Sequence, residues 1–525
     1  MQGSLIAFKI CHLSKVVSRV MPKPARKQRR SSQCPVPTTE ERERSVVSLP
    51  MASTTAGVPT VATAEAAESD QHSDPHELQW SMDQLPKDVL LEVLQHLPVV
   101  DLLKCRRVCK RLGELALHPT VWRRKVLLSS SGGFVKLFCP VLRLAPCLNH
   151  LKIESLSPYL TCDHSLSTTR CGVEHLALSV GCSDALKAAL VLQRQEVLGR
   201  LRRLTIALNV RATSLDKDQA SILYRTLALT SRLESLVVTM SYNAGPVECS
   251  FAGIHVPSSL KSVEFNPHGQ EQAENLVNFM LSTHAATLET ARFHDPVSTS
   301  TLQLLAGLPR LRELTCRLQA GLEVLAASES LQVLTIRAVG DTEAAEATAA
   351  ESLLRQARQL RQVSLECGYG AHSYLFPEAL VRALAAEGTE RSHLEKLSVA
   401  CMCKDIDDLG EVLLGVLPGL PALQELDLSC PKYERLLRGL TPATAPALRR
   451  LTVRACAHDW THRPSVKGLL EANPSLQVWS KWPRCASCHA CKLACHRELG
   501  RTKSGSQVCL ALKEELSICP SVHNQ

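Results

Sequence analysis

Near the C-terminus Cys485, Cys488, Cys491 and Cys495 follow one another with two, two and three residues between them, and His489 and His496 lie among them. Thiolates at this spacing ligate iron–sulfur clusters, and thiolates completed by an imidazole make a tetrahedral zinc site. Three features argue against a metal. His496 stands where a proline follows the cluster run, and no second run exists to share the fourth cysteine. Spacings this short also crowd several ligands around one ion. The reading adopted is a cysteine-rich tail with no metal and no cofactor. A metal-dependent sensor or redox protein built on the four cysteines is the competing reading.

No other stretch offers reaction chemistry. A phosphate-binding Walker loop, a GxGxxG turn after a strand, HExxH and GxSxG are all missing, and the histidines and carboxylates form no acid and base pair. The chain is therefore expected not to be an enzyme. Most of its 22 cysteines stand singly beside apolar residues, as in a reduced protein where Cys serves as a small hydrophobe. Cys401 and Cys403 read in the same way.

Charge narrows the partners. Of the net +9, the eight Lys and Arg of the first 30 residues supply +8, which leaves +1 for residues 31–525. The body of the chain has no overall basic field to attract nucleic acid. No apolar run approaches the ~20 residues that span a bilayer, so no membrane partner is expected.

The first 80 residues read as a basic tail and a linker. Lys23–Arg30, KPARKQRR, has the composition of a nuclear-localisation patch. The segment is also acid-free, with Ile6, Ile10, Leu13, Val17 and Val20 loosely on one helical side, as in a mitochondrial presequence. A disordered basic tail is the third reading. From Ser31 to about Gln79 the composition is that of a flexible linker.

Asp83–Leu128 is dense with helical spacing. Leu90, Val93, Leu94 and Leu97 share one side of a helix that starts after Pro86 and stops at Pro98. Asp101 is placed to cap a second helix with apolar positions Leu102, Cys105, Val108 and Cys109. A third helix runs through Leu112 and Leu115, and Trp122 supplies the large aromatic that closes so small a core. One apolar stripe per helix in about 45 residues buries little, so a helical partner is expected.

This order of residues resembles the F-box, the adaptor-docking module of SCF-type ubiquitin ligases. Leu85, Pro86, Val89, Val93, Leu94, Leu97, Pro98, Leu102, Val108 and Trp122 match its positions, and the resemblance assigns them to adaptor binding. Leu112 stands where many members of that family carry Trp.

Beyond Gly133 the line Leu-x-x-Leu-x-Leu recurs. It begins at Leu148/Leu151/Ile153 and runs through Leu260/Val263/Phe265 and Leu331/Leu334/Ile336 to Leu448/Leu451/Val453, twelve lines in all, with an incomplete last one at Leu476/Trp479. The mean period is about 27 residues. Helical segments lie between the lines, such as 219–229, 271–281 and 346–357. The array resembles the leucine-rich repeat family, which implies a horseshoe-shaped α/β solenoid of parallel strands and helices. Its ladder position is met only by Asn209 and Cys456, so the turns must satisfy their backbone groups in another way.

Between the leucines, residues alternate onto the open face of the sheet. Arg292, Glu313, Arg317 and Arg337 are the candidate substrate contacts, since guanidinium forks match carboxylate and phosphate geometry. The expected domains are a tail and linker at 1–80, the F-box at 81–128, the solenoid at 129–480 and the cysteine-rich tail at 481–525. The two resemblances together imply a substrate-recognition subunit of an SCF ligase. Its expected partners are a Skp-type adaptor, a cullin scaffold reached through that adaptor, and an unidentified protein substrate. Its expected location is the cytoplasm or the nucleus.

Overall fold

The computed structural model describes residues 85–482 and 508–510, apart from 129–134, 155, 157–162, 182, 209–216, 241–248, 268–273, 340–342, 369–375, 386–392, 402–408, 430–433 and 457–462. The basic tail, the linker and the run Cys485 to Cys495 lie outside the described residues, as does Asn209. The chain divides into two compact units, Met1–Ala116 and Leu117–Gln525.

The first unit contains α1 (Lys87–Gln95), α2 (Val99–Cys105) and α3 (Lys110–Ala116). Pro86 and Pro98 occupy the N-cap positions of α1 and α2, where a missing N–H costs nothing. Its interior is Leu90, Leu91, Leu94, Val99, Leu102, Cys105, Leu112 and Leu115. Two expectations are corrected here. Asp101 does not cap α2: it lies in the first turn and pairs with Lys104 at 2.7 Å. Because α2 ends at Cys105, Val108 and Cys109 fall outside its stripe and are exposed, Val108 at 46%.

The second unit opens with α4 (Pro119–Trp122), whose Trp122 is fully buried, and α4 packs on the sheet strand β2 (Cys147–Ile153). Around it the strands are β1 (Val126–Leu128), β3 (Gly172–Val180), β4 (Arg203–Leu208), β5 (Ser235–Met240), β6 (Ser262–Pro267), β7 (Thr290–Phe293) and β8 (Glu313–Arg317). They continue as β9 (Val333–Ala338), β10 (Gln362–Cys367), β11 (Lys396–Cys401), β12 (Glu425–Leu428), β13 (Arg450–Cys456), β14 (Gln477–Trp482) and β15 (Val508–Leu510). All fifteen form one sheet in sequence order; β1 to β14 are parallel, and β15 returns antiparallel on β14.

Helices connect most of the strands and stack on one another, so the unit is an α/β repeat solenoid preceded by the small helical unit. No helix of the described residues is long and apolar enough to cross a membrane.

Every residue of the twelve complete leucine lines is at most 7% exposed, the value of Leu448. One strand and one helix cannot bury these residues alone; stacked neighbours can. The incomplete line is corrected. In β14 Val478 and Ser480 are the buried residues, and Trp479 turns to the open face.

At the start of the strands, the end opposite the ladder position, the turns are closed by backbone. One residue ahead of each strand from β4 to β12, a carbonyl accepts two N–H groups from the next repeat. Arg202 O takes those of Glu234 and Ser235 at 2.7 and 3.1 Å, and Lys261 O takes those of Glu289 and Thr290 at 2.8 and 3.0 Å. The same pattern continues through Arg361 O to Gln424 O. Carbonyls have two lone pairs, so each turn is satisfied without a particular side chain.

Buried amides satisfy further backbone groups. Gln195, 1% exposed, accepts from Val173 N at 2.9 Å and donates to Cys171 O at 3.2 Å. Gln319 clasps both backbone groups of Val297 in the same way. Gly199 ends the helix Ala185–Leu198 with φ 69°, a left-handed cap that suits glycine.

Candidate functional site

The ten residues assigned to adaptor binding fall into two groups. Leu94, Leu102 and Trp122 are interior, at 3%, 1% and 0% exposed; a partner cannot reach them, and Leu94 and Leu102 support the surface of the helical unit from behind. Leu85, Pro86, Val89, Val93, Leu97, Pro98 and Val108 lie at the surface to varying degrees, with Val89 at 44% and Val108 at 46%. Leu85 is anchored by its carbonyl, which accepts from Arg111 Nη2 at 2.5 Å. The helical unit thus presents two prolines and several aliphatic side chains to solvent, while Leu90, Leu91 and Leu94 fix α1 from below.

On the open strand face, the structure brings Arg292, Glu313, Arg317 and Arg337 into one band but gives each a partner. Arg292 Nη2 donates to Glu313 Oε1 at 2.5 Å, and Arg317 Nη2 donates to Val339 O at 2.7 Å. Arg337 Nε donates to Glu366 Oε2 at 2.7 Å, and its Nη1 lies 2.6 Å from His294 Nδ1. A guanidinium only donates, so Nδ1 accepts, and the imidazole proton on Nε2 is donated to Glu264 Oε1 at 3.2 Å. The result is one polar chain, Glu264, His294, Arg337, Glu366, reaching from β6 to β10. A ligand at this band exchanges partners with it and meets no bare positive patch.

The two ends of the face differ from its middle. At β2 and β3 the rings of His150 and His175 stack, centroids 4.2 Å apart and 8° from parallel. At β13 and β14 the Arg450 guanidinium lies 5.9 Å from the Trp479 ring centre and pairs with Glu425 at 2.9 Å, a cation–π contact. The sequence reading missed Trp479 as a surface residue. The signal was present in Val478 and Ser480, which flank it at the alternate spacing.

Burial lowers the pKa of His150 and His175 below the usual 6.5, and each is pushed further by neighbouring charge, Lys152 for the first and His150 and Arg203 for the second. Burial does the same to His284, whose Nδ1 accepts from Ser259 N at 3.2 Å. The unfolded chain therefore takes up these protons first. Stability is complete above pH 6.5 and is lost as the pH falls through the lower folded values. The melting temperature is expected to drop as the pH falls below about 6.5, and His284→Gln should flatten that slope. An unchanged slope in the variant refutes the assignment to His284.

Burial holds four of the described thiols protonated. Burial pushes Cys171 and Cys316 up to about 12 and raises Cys105 and Cys147, and Cys401 is buried in β11. Among the described residues no group of three or more His, Cys, Asp or Glu side chains is placed to hold a metal ion.

Comparison with known proteins adds three findings. The family model described as F-box-like matches residues 82–128. No curated protein matches the chain. Among solved structures, a chain of the crystal structure of the Rad7 and Elc1 complex in yeast is similar at 12% identity, with 70% of this chain and 88% of that chain covered and a TM-score of 0.28. Residues 82–128 are thus an F-box-like segment, set at the head of an α/β repeat solenoid.

Proposed function

We propose that this chain is a substrate-recognition subunit of an SCF-type ubiquitin ligase. The F-box-like segment docks a Skp-type adaptor, which ties it to a cullin scaffold. The open strand face holds a protein substrate for ubiquitin transfer. The observation that carries the reading is the F-box-like match at 82–128 running directly into a single sheet of parallel strands. Function then follows from proximity: a rigid array keeps its cargo near the charged conjugating enzyme and turns a bimolecular encounter into a local one. This chain supplies position and no reaction chemistry.

The strand face favours a particular kind of cargo. Its arginines are paired with Glu313 and Glu366 or bonded to a carbonyl, so a segment that carries both charges and hydrogen-bonding groups suits it better than a polyanion.

The test is capture of the purified adaptor and cullin pair by the full chain. Leu85→Ala with Pro86→Ala should reduce capture by at least about tenfold while leaving the melting temperature within a few degrees. A correctly folded wild-type chain that ignores the adaptor defeats the proposal.

A further inference from the structure

Two neighbouring helices of the solenoid, Ala185–Leu198 and Lys217–Ala228, carry apolar residues where solvent-facing polar ones are the rule. The first buries Ala188, Val191 and Leu192. At 100° per residue, Leu186, Leu190, Gln193 and Val197 fall within about 60° of one another on the opposite side. Leu186 is 44% exposed, Leu190 47% and Val197 77%. In the next repeat Ile222 and Leu229 stand 32 residues after Leu190 and Val197, at the equivalent helical positions, and are 43% and 52% exposed. The two helices pack side by side. With Leu229, which directly follows the second helix, they hold five of the ten large apolar residues exposed among the described residues, so this is a patch and not the scatter of single residues that any surface shows.

Charge at the border indicates what covers it. Arg194 and Arg225 donate to the backbone carbonyls of Thr169 and Ser250 at 2.7 and 3.2 Å, and neither they nor Arg232 pairs with a carboxylate among the described residues. Glu196 is occupied by the N–H and hydroxyl of Ser231. Asp218 is the one exposed carboxylate on the two helices and stands at their N-terminal end. The C-terminal half of the patch is thus apolar with a cationic rim. The acid-free first 30 residues of this chain would set cations against that rim.

We propose that the two helices form a second docking surface, separate from the strand face, for an amphipathic helix of another protein whose apolar stripe is flanked by acidic residues. Such a helix lays its stripe along Leu190, Val197, Ile222 and Leu229 and meets the arginines with its carboxylates.

The probe is a labelled helical peptide of about 18 residues, five turns, with Leu at helical spacing and Glu on both flanks, titrated into the full chain. Two competitors accompany it: the same stripe flanked by Lys, and a peptide of this chain's own acid-free N-terminus. The Glu-flanked peptide should bind at least about tenfold more tightly than either and weaken with added salt. Leu190→Asp and Val197→Asp should each cost at least about tenfold in its affinity; Val197 is too exposed for its replacement to unfold the chain. Equal binding of the Lys-flanked or N-terminal peptide overturns the proposal, as does unchanged binding by both variants. A chain that sediments as a dimer and becomes monomeric on Leu190→Asp also overturns it, by assigning the patch to a second copy.

Discussion

Trp122→Ala is expected to lower the stability of the isolated chain by about 3–5 kcal/mol in urea unfolding. Trp122 is fully buried: it is the largest of the side chains fully buried among the described residues, and α4 rests on β2 at the start of the array. Alanine leaves a cavity that neighbouring repeats, themselves close-packed, cannot fill. Repeats are coupled mainly to their neighbours, so the loss should concentrate at the N-terminal end. Hydrogen exchange should accelerate in β1 to β3 and stay slow in β11 to β13. Trp122→Phe, which keeps most of the volume, should recover more than half of the loss. If the indole instead acts as a direct adaptor contact, Trp122→Ala leaves unfolding of the isolated chain untouched and lowers adaptor capture alone, and the interior assignment fails.

The second large effect is expected at Gln195. Leucine there keeps the bulk and removes both hydrogen bonds, stranding Val173 N–H and Cys171 C=O inside the chain. Each stranded group costs about 1–3 kcal/mol, for a total of about 2–6 kcal/mol. Gln195→Glu separates loss of hydrogen bonds from loss of packing. Ionised, the glutamate accepts from Val173 N–H but faces Cys171 O with no donor; protonated, it restores both bonds. A buried carboxyl has a raised folded pKa, so its stability is present at low pH and lost as the pH rises through that value. The deficit of Gln195→Glu relative to wild type should shrink on acidification. A deficit independent of pH, or a Gln195→Leu protein as stable as wild type, removes the clamp from the account.

The repeat lines were legible because each leucine has a single role: alternation places it under the helices, and every complete line is buried. Helical spacing between Pro86 and Leu115 likewise gave three helices. What the pattern did not reveal has physical causes. Asp101 was read as a cap because its type favours that position, but Pro98 already held the place. Strand β1 has three residues and only Leu127 inward, too short for alternation to register.

The candidate site was legible in membership and not in pairing. Sequence placed Arg292, Glu313, Arg317 and Arg337 on one face, but Arg337 reaches past β8 to His294, a contact that depends on side-chain length and rotamer. Leu186, Leu190 and Val197 read as ordinary helix-forming apolar residues; periodicity gives the angle between two stripes and not which of them meets the sheet. The carbonyl ladder has no side-chain signature at all.

That ladder leaves the residues one step ahead of the strands free to differ, and from β4 to β8 they do so by sign: Arg202, Glu234, Lys261, Glu289, Arg312, with Glu174 inside β3 beside Arg202. Arg202 and Lys261 both approach Glu234, at 3.9 and 3.8 Å. A lineage that gained or lost a single unit in this stretch would bring like charges face to face, whereas gain or loss of units in twos keeps opposite charges adjacent. Length variation among descendants of such a chain should therefore favour even steps.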